Sequence, residues 1–266
     1  MTSQSASTAS ERPFYDAHAE AYDHFIVDPV TPWIDAVEAA LTARGLTVRG
    51  LTVHDLNARG LNDATLLDAG CGTGRHAAAF SALGHEVTLL DASAKLLAIA
   101  ARRCPTSPVH HDDVCNPSLS GPFDVVTCRG VLNDLTTDVE RDAALRSFAR
   151  LLRPGGLLAL DVRDVERSRA GADGHPRTKT TTLNSGAVVI FTSRTVWCDD
   201  RLVVSERHEE VDSHGEMHVQ EYLFTMRPWT SEEARDRLSS TGFEDVEVGP
   251  GVGGRSDRLF ITATAG

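Results

Sequence analysis

Residues 66–74 read LLDAGCGTG, a short apolar run closing on three glycines at alternate positions, Gly70, Gly72 and Gly74. Glycines at a strand-to-helix corner permit a tight turn and let backbone amides approach a ligand with no Cβ in the way. One helix further on, HEVTLLD ends in Asp91, and the next apolar segment, PVHHDDV, ends in Asp112 and Asp113. If these segments are parallel strands, each carboxylate stands at a strand's carboxyl end beside the glycine turn, where open α/β sheets bind ligands. Asp68, just ahead of the glycines, adds another acceptor. A pyrophosphate suits such a place badly: G-x-G-x-G misplaces the third glycine of the dinucleotide pattern, and Asp68 would repel it. A ligand offering an ammonium group, two ribose hydroxyls and an adenine amine would use all three acidic positions.

The surrounding text supplies the elements that must hold these residues. From residue 64 short apolar runs alternate with helical segments: ATLLDAG, RHAAAFSALG, HEVTLLD, SAKLLAIAARR, PVHHDDV, FDVVTCRG, a long helix over 138–152, and GGLLALDV. Continuous apolar strands between helices predict a parallel sheet covered on both faces. Before it, 13–63 reads as two helical stretches, YDAHAEAYDHF and PWIDAVEAALTARG, and a connection that nearly repeats itself; 1–12 is small and polar and is expected to be a disordered tail. The core is expected over 64–170. Across 171–228 apolar and polar residues alternate between the turn sequences NSG, CDD and SHGE, which predicts an inserted antiparallel sheet. Residues 229–266 close the core with a helix, Ser231 expected as its N-cap, and two strands.

These motifs together resemble the class I S-adenosylmethionine-dependent methyltransferases. LLDAGCGTGRHAAAFSALGHEVTLLDAS, PFDVVTCRGVLNDL, FARLLRPGGLLALDV and the opening YDAHAEAYDHF carry the resemblance over roughly residues 14 to 165. Within that class the chain is similar to the small-molecule branch, the insertion matching loosely that of sugar-amine and glycine N-methyltransferase-like enzymes. The resemblance implies a doubly wound seven-stranded α/β sheet of order 3-2-1-4-5-7-6 with the last strand antiparallel, an amino-terminal helical lid and the inserted sheet. It implies S-adenosylmethionine as cofactor, S-adenosylhomocysteine as product and no metal. By position, Asp68 and the backbone of Gly70, Cys71 and Gly72 would hold the methionine end; Asp91 would accept both ribose hydroxyls, with Ala92 beside the adenine. Asp112 or Asp113, with Val114, would meet the adenine edge; Cys128 and Arg129 would line the sulfonium side; Tyr15 and Tyr22 would close over the cofactor. Asn133 and Asp134, beside the place where the methyl would emerge, would orient the acceptor or cap a helix.

The implied activity is methyl transfer to a nitrogen or oxygen of a small metabolite or natural product by direct displacement. An S-adenosylmethionine-binding scaffold without transfer would share every cofactor residue, and a nicotinamide-dependent oxidoreductase is a third alternative. With 26 lysines and arginines against 38 acidic residues, net charge −12, the chain lacks the basic face a nucleic-acid partner needs. No apolar stretch is long enough to span a membrane, and five scattered cysteines argue for reduced thiols in a cytoplasmic protein. A small-molecule substrate and, at most, a second copy in a homodimer are the expected partners. His76 is expected to cap or pack its helix, and His208, His214 and His218 to face solvent or turns.

Overall fold

The computed structural model of the chain describes residues 12, 14–44 and 64–266. The expected tail, apart from Arg12, and the near-repeat in the connection lie outside the described residues. The amino-terminal stretch forms α1 (Phe14–Ala17), α2 (Ala19–Phe25) and α3 (Thr31–Ala43), with Pro32 in the first turn of α3. The core then runs β1 (Thr65–Ala69), α4 (Arg75–Ala82), β2 (Glu86–Asp91), α5 (Ala94–Arg103), β3 (Val109–His111), β4 (Phe123–Arg129), α6 (Asp138–Leu151), β5 (Leu152–Arg163) and α7 (Val165–Gly171). The insertion is β6 (Arg177–Thr182), β7 (Val188–Cys198), β8 (Arg201–Val211) and β9 (Met217–Met226). The chain closes with α8 (Ser231–Ser240), β10 (Phe243–Pro250) and β11 (Arg258–Ala265).

The main sheet has seven strands in the order β10-β11-β5-β4-β1-β2-β3, with β11 antiparallel to both its neighbours. Renumbered within the core this is 3-2-1-4-5-7-6, as the resemblance implies. Its central strands are buried on both faces, and alternate residues feed different cores. Leu66 of β1 packs with Trp33, Val37 and Phe80 under α3 and α4, whereas Leu67 packs with Leu145, Phe148 and Leu238 under α6 and α8. The capping of α6 is reciprocal: Thr137 accepts from the Glu140 amide while Glu140 accepts from the Thr137 amide. At α8 the cap is Thr230, whose hydroxyl accepts from the Glu233 amide, and Ser231 is the first helical residue instead. Thr230 wins because a cap needs extended backbone and a donor three residues on, which it has.

The four inserted strands form one antiparallel sheet in the order β6-β7-β8-β9. Asp199 and Asp200, both at positive φ, make the two-residue corner between β7 and β8. One face of this sheet packs on the amino-terminal helices: Phe14 on Phe224, Phe25 on Phe191, and His18 stacked on His208 with ring centroids 3.9 Å apart. His208 is therefore buried rather than solvent-facing, because its register position on β8 points inward beside Phe191 and Tyr222.

His18 also meets the Tyr222 hydroxyl at 3.2 Å, and burial, then the neighbouring His208, push its pKa down to about 4. A folded-state pKa below the unfolded value near 6.5 means that unfolding takes up a proton. The stabilisation is fully present above about pH 6.5 and is lost as pH falls toward 4. We expect wild-type thermal stability to decline across that window, and a His18→Gln variant to show a shallower decline in calorimetry.

Candidate functional site

A cavity of about 270 Å³ opens over the carboxyl ends of the parallel strands, walled by α1, α2 and the last residue of β9. Its floor is the glycine turn. The amides of Gly70 and Cys71 donate to the Leu90 carbonyl, at 2.7 and 3.0 Å, and the Gly72 amide donates to Asp91 Oδ2 at 2.8 Å. Asp91 Oδ1 accepts from the Ser93 amide at 2.8 Å. The turn and the end of β2 thus form one rigid unit, with the carboxylate aimed by backbone donors. Burial pushes the Asp91 pKa up, while the Ser93 and Gly72 amides hold it down.

Gly70 and Gly72 have φ of +73° and +55°, conformations costly for residues with a Cβ. A Cβ on Gly70 would stand 2.1 Å from Val131 Cγ2, whereas one on Gly72 would project into open space. Gly70 is therefore demanded by packing as well as by φ. A Gly70→Ala variant should lose about 1–2 kcal/mol to backbone strain before the clash is counted. We expect a lower Tm and a loss of S-adenosylhomocysteine affinity of at least tenfold; wild-type affinity by calorimetry would show that the turn tolerates displacement.

Of the residues singled out from the sequence, Tyr15, Tyr22, Gly70, Gly72, Asp91 and Ala92 line this cavity, as do Asp113, Val114, Arg129, Asn133 and Asp134. Tyr15 and Tyr22 meet edge to face, centroids 5.3 Å apart. The doubled aspartate resolves by geometry. Asp112 Oδ2 accepts from the Ser118 amide and hydroxyl, at 2.7 and 2.6 Å, which fastens the following loop and leaves Asp113 at the cavity. Cys128 lies in the core and not on the cavity, because successive residues of β4 face opposite ways and Arg129 takes the cavity side. Asp68 and Cys71 instead line a smaller adjoining pocket of about 70 Å³, shared with Tyr22, His76 and Arg129. Burial pushes Asp68 up to about 6, against the hydrogen bond it accepts from Thr127 at 3.0 Å. His76 sits in the first turn of α4 with its Nε2 buried, and burial pushes its pKa down to about 3.

Asn133 and Asp134 occupy the turn after β4 but differ in their surroundings. The Asn133 amide donates to the Gly130 carbonyl at 2.9 Å, and its oxygen accepts from the Arg163 amide at 2.7 Å. That side chain is spent on joining the turn to the end of β5. Asp134 is buried, pairs with Arg12 at 3.0 Å and accepts from the Tyr15 hydroxyl at 3.4 Å. Burial pushes its pKa up to about 6, with Arg12 and Tyr15 pulling the other way. Outside the turn, Arg141 donates to the Leu135 carbonyl at 3.0 Å and Trp229 Nε1 to the Leu132 carbonyl at 3.2 Å. These bonds hold the backbone on either side of Asp134.

Several wall residues were not singled out from the sequence: Arg12, Asp16, Ser93, Arg163, Met226 and Arg258. Asp16 reaches from α1 to accept from the Ser93 hydroxyl at 2.5 Å and the Lys95 amide at 3.1 Å, tying the lid to the start of α5. Arg163 carried a legible signal, since it ends a parallel strand; Arg12 did not, being embedded in polar, low-complexity text. At the β8–β9 turn, Asp212, Glu216 and His218 bring ligand-type atoms within 4.8 Å of one another. There Asp212 Oδ1 accepts from the His214 and Glu216 amides and so shapes the turn.

Sheet order, glycine turn and acidic strand ends together define the Rossmann-like fold of class I S-adenosylmethionine-dependent methyltransferases. Residues 67–160 match the methyltransferase domain family. Among proteins of known activity, the chain is 39% identical over 99 residues to dTDP-3-amino-3,6-dideoxy-alpha-D-glucopyranose N,N-dimethyltransferase of Streptomyces fradiae; the match spans 37% of this chain and 39% of that one. The similarity thus covers about two fifths of that relative's length. In three dimensions the chain is similar to the sugar N-methyltransferase KedS8 from a Streptoalloteichus species, with TM-score 0.75, 22% identity and 92% of each chain covered. It is similar also to CalS10, an amino pentose methyltransferase from Micromonospora echinaspora solved with S-adenosylmethionine bound, with TM-score 0.63, 27% identity and coverage of 87% of this chain and 97% of that one.

Proposed function

We propose that the protein transfers the methyl group of S-adenosylmethionine to the nitrogen of a small-molecule amine, with amino sugars as the first acceptor class to test. The observation that carries this reading is a single cavity with Asp91 and Asp113 on one side of the glycine turn and a buried carboxylate, Asp134, on the other. The residues fit the cofactor. Gly72 leaves room above the turn, Asp91 keeps a lone pair on each oxygen after accepting its two amides, and Asp113 with Val114 stands where the adenine edge would lie. Asp68 and the adjoining pocket suit an ammonium group. Sugar-amine N-methylation in the relatives' names supports nitrogen over oxygen as the acceptor atom.

When bound, S-adenosylmethionine supplies a methyl already activated on a sulfonium, so a nitrogen lone pair attacking that methyl displaces the thioether. The protein's task is alignment and proton removal. Alignment of two reactants is worth up to about 7–11 kcal/mol of barrier, and here it falls to Tyr15, Tyr22 and Met226 above and the glycine turn below. An ammonium has no lone pair, so the acceptor must shed a proton first. Asp134 is placed to accept it: with a pKa of about 6 it is mostly ionised at neutral pH yet basic enough to take a proton. The amino-terminal helices and the inserted sheet, 13–63 and 171–228, would together shape the acceptor side.

Among the described residues no helix is long and apolar enough to cross a membrane. The five cysteines form no disulfide with one another, which supports a reducing, cytoplasmic setting. Secondary metabolism accords with the relatives, and exposed Met217, Val219 and Leu223 on the edge strand β9 offer a face for a homodimer. The test is calorimetry against S-adenosylhomocysteine and NAD, followed by mass spectrometry of amino sugars incubated with enzyme and S-adenosylmethionine. Binding of S-adenosylhomocysteine, and amino-sugar products heavier by one or two methyl groups, are the expected results. NAD binding in its place would overturn the reading.

A further inference from the structure

The smaller pocket beside the glycine turn contains two buried nitrogen donors with nothing to donate to. His76 Nε2 and Arg129 Nε are both buried and, among the described residues, neither has a hydrogen-bond partner. They line the same space of about 70 Å³, His76 from the first turn of α4 and Arg129 from the end of β4. A buried donor left unsatisfied costs stability, so two of them in one pocket call for an explanation.

The neighbouring carboxylates are engaged elsewhere. Arg129 pairs with Asp28 at 3.6 Å and with Asp161 at 3.9 Å, both too long for a hydrogen bond. Asp161 is held at 2.6 Å by Arg258, and Asp28 more closely by Arg255. Asp68, on the pocket wall, accepts from the Thr127 hydroxyl at 3.0 Å. Arg75, the pocket's other guanidinium, donates to the carbonyls of Ile26 at 2.6 Å and Asp28 at 3.0 Å, which fastens the segment after α2. Burial, then Arg129 and Arg75, push the His76 pKa down, so its imidazole is neutral beside two cations. From Phe14 to Phe25, the helices that close over the site, the sequence has no lysine or arginine. Positive charge and spare donors for an anion at this end therefore come from the core, at α4 and β4.

We propose that Arg129 and His76 bind the carboxylate of the cofactor's methionine arm, while Asp68 on the same pocket wall takes its ammonium group. This rests on the proposed methyl transfer from S-adenosylmethionine and adds to it the residues that read the amino-acid end. The pocket adjoins the main cavity, with Tyr22, Gly70, Gly72 and Arg129 on the walls of both, so an arm that passes over the glycine turn reaches it. A zwitterion suits a pocket that offers one carboxylate and two donors, and hydrogen bonds between ionised groups are the strong ones. His76 acts as a neutral donor through the tautomer that carries its proton on Nε2. Arg129 then meets the far end of the arm rather than the sulfonium, and His76 does more than pack its helix.

The experiment is calorimetric titration of the full chain by S-adenosylhomocysteine and, separately, by decarboxylated S-adenosylhomocysteine, which keeps the nucleoside, the thioether and the amine. The wild type should bind the decarboxylated ligand about a hundredfold more weakly, the loss of two charge-assisted hydrogen bonds. Arg129→Gln and His76→Leu should each weaken S-adenosylhomocysteine about tenfold or more, and Arg129→Lys and His76→Gln should restore part of the loss. Both weakened variants should bind the decarboxylated ligand within a few-fold of wild type, which also shows that the rest of the site is folded. Equal affinity of the wild type for the two ligands overturns the assignment. So does a variant that weakens both ligands alike, since the residue then only supports the turn. Failure of the wild type to bind S-adenosylhomocysteine at all would instead overturn the methyltransferase reading.

Discussion

An Asp134→Asn variant should lose a hundredfold or more in kcat/KM for amine methylation and bind S-adenosylhomocysteine as the wild type does. The size follows from what positioned proton acceptors contribute, typically ~10²–10⁴ in rate. Asparagine keeps the shape but cannot take the proton, and it gives Arg12 no charge to pair with. The pH dependence supplies a second signature. Asp134 must be ionised to act, so wild-type kcat/KM should fall as pH drops through about 6. That limb should be absent from the asparagine variant. In an Arg12→Met variant the limb should move to higher pH, because the cation that favours the carboxylate at 3.0 Å is gone. A full rate in Asp134→Asn would mean that the amine arrives already neutral and loses its last proton to water.

The second large effect is expected at Asp91. Two hydrogen bonds from ribose hydroxyls to a carboxylate are worth about 1.5–3 kcal/mol each. Asp91→Ala should therefore weaken S-adenosylhomocysteine binding by at least ~100-fold, since every 1.4 kcal/mol is tenfold. Part of that loss will come from the turn itself, because the Gly72 and Ser93 amides lose their acceptor. Asp91→Asn separates the contributions: it retains one oxygen acceptor and should fall between wild type and alanine. Unchanged affinity in the alanine variant would remove Asp91 from the ribose and leave it a purely structural clamp on the glycine turn.

The parallel sheet and the glycine turn are legible because both follow from short-range rules, strand–helix alternation and glycine spacing, whereas the order of the strands is legible only through the resemblance to the methyltransferases. Asp91 was legible for the same reason, as the last residue of an apolar run. What the text could not show was the direction of side chains at doubled positions. Asp112 and Asp113 are equivalent as letters and differ only because Ser118 folds back onto the first of them. Cys128 and Arg129 differ by the period-two alternation of β4, which assigns opposite faces but not which face is the cavity. Asn133 and Asp134 look alike as polar neighbours, and both line the cavity; the bond from the Arg163 amide, thirty residues away, binds the Asn133 side chain into the scaffold, whereas Asp134 faces Arg12 and Tyr15. The arginines at the ends of β4, β5 and β11 on that wall are brought together by long-range packing. His208 was misread for the same reason, since its burial depends on His18, nearly two hundred residues earlier.

The central claim is tested most directly by following isotope-labelled methyl from S-adenosylmethionine into pooled amino sugars, other small amines, phenols and hydroxylated rings, with S-adenosylhomocysteine binding as control. Label in an amine pool, lost in Asp134→Asn, is the predicted result. Label entering only phenols or hydroxylated rings, or cofactor binding with no transfer to any pool, would contradict the assignment of an amine N-methyltransferase.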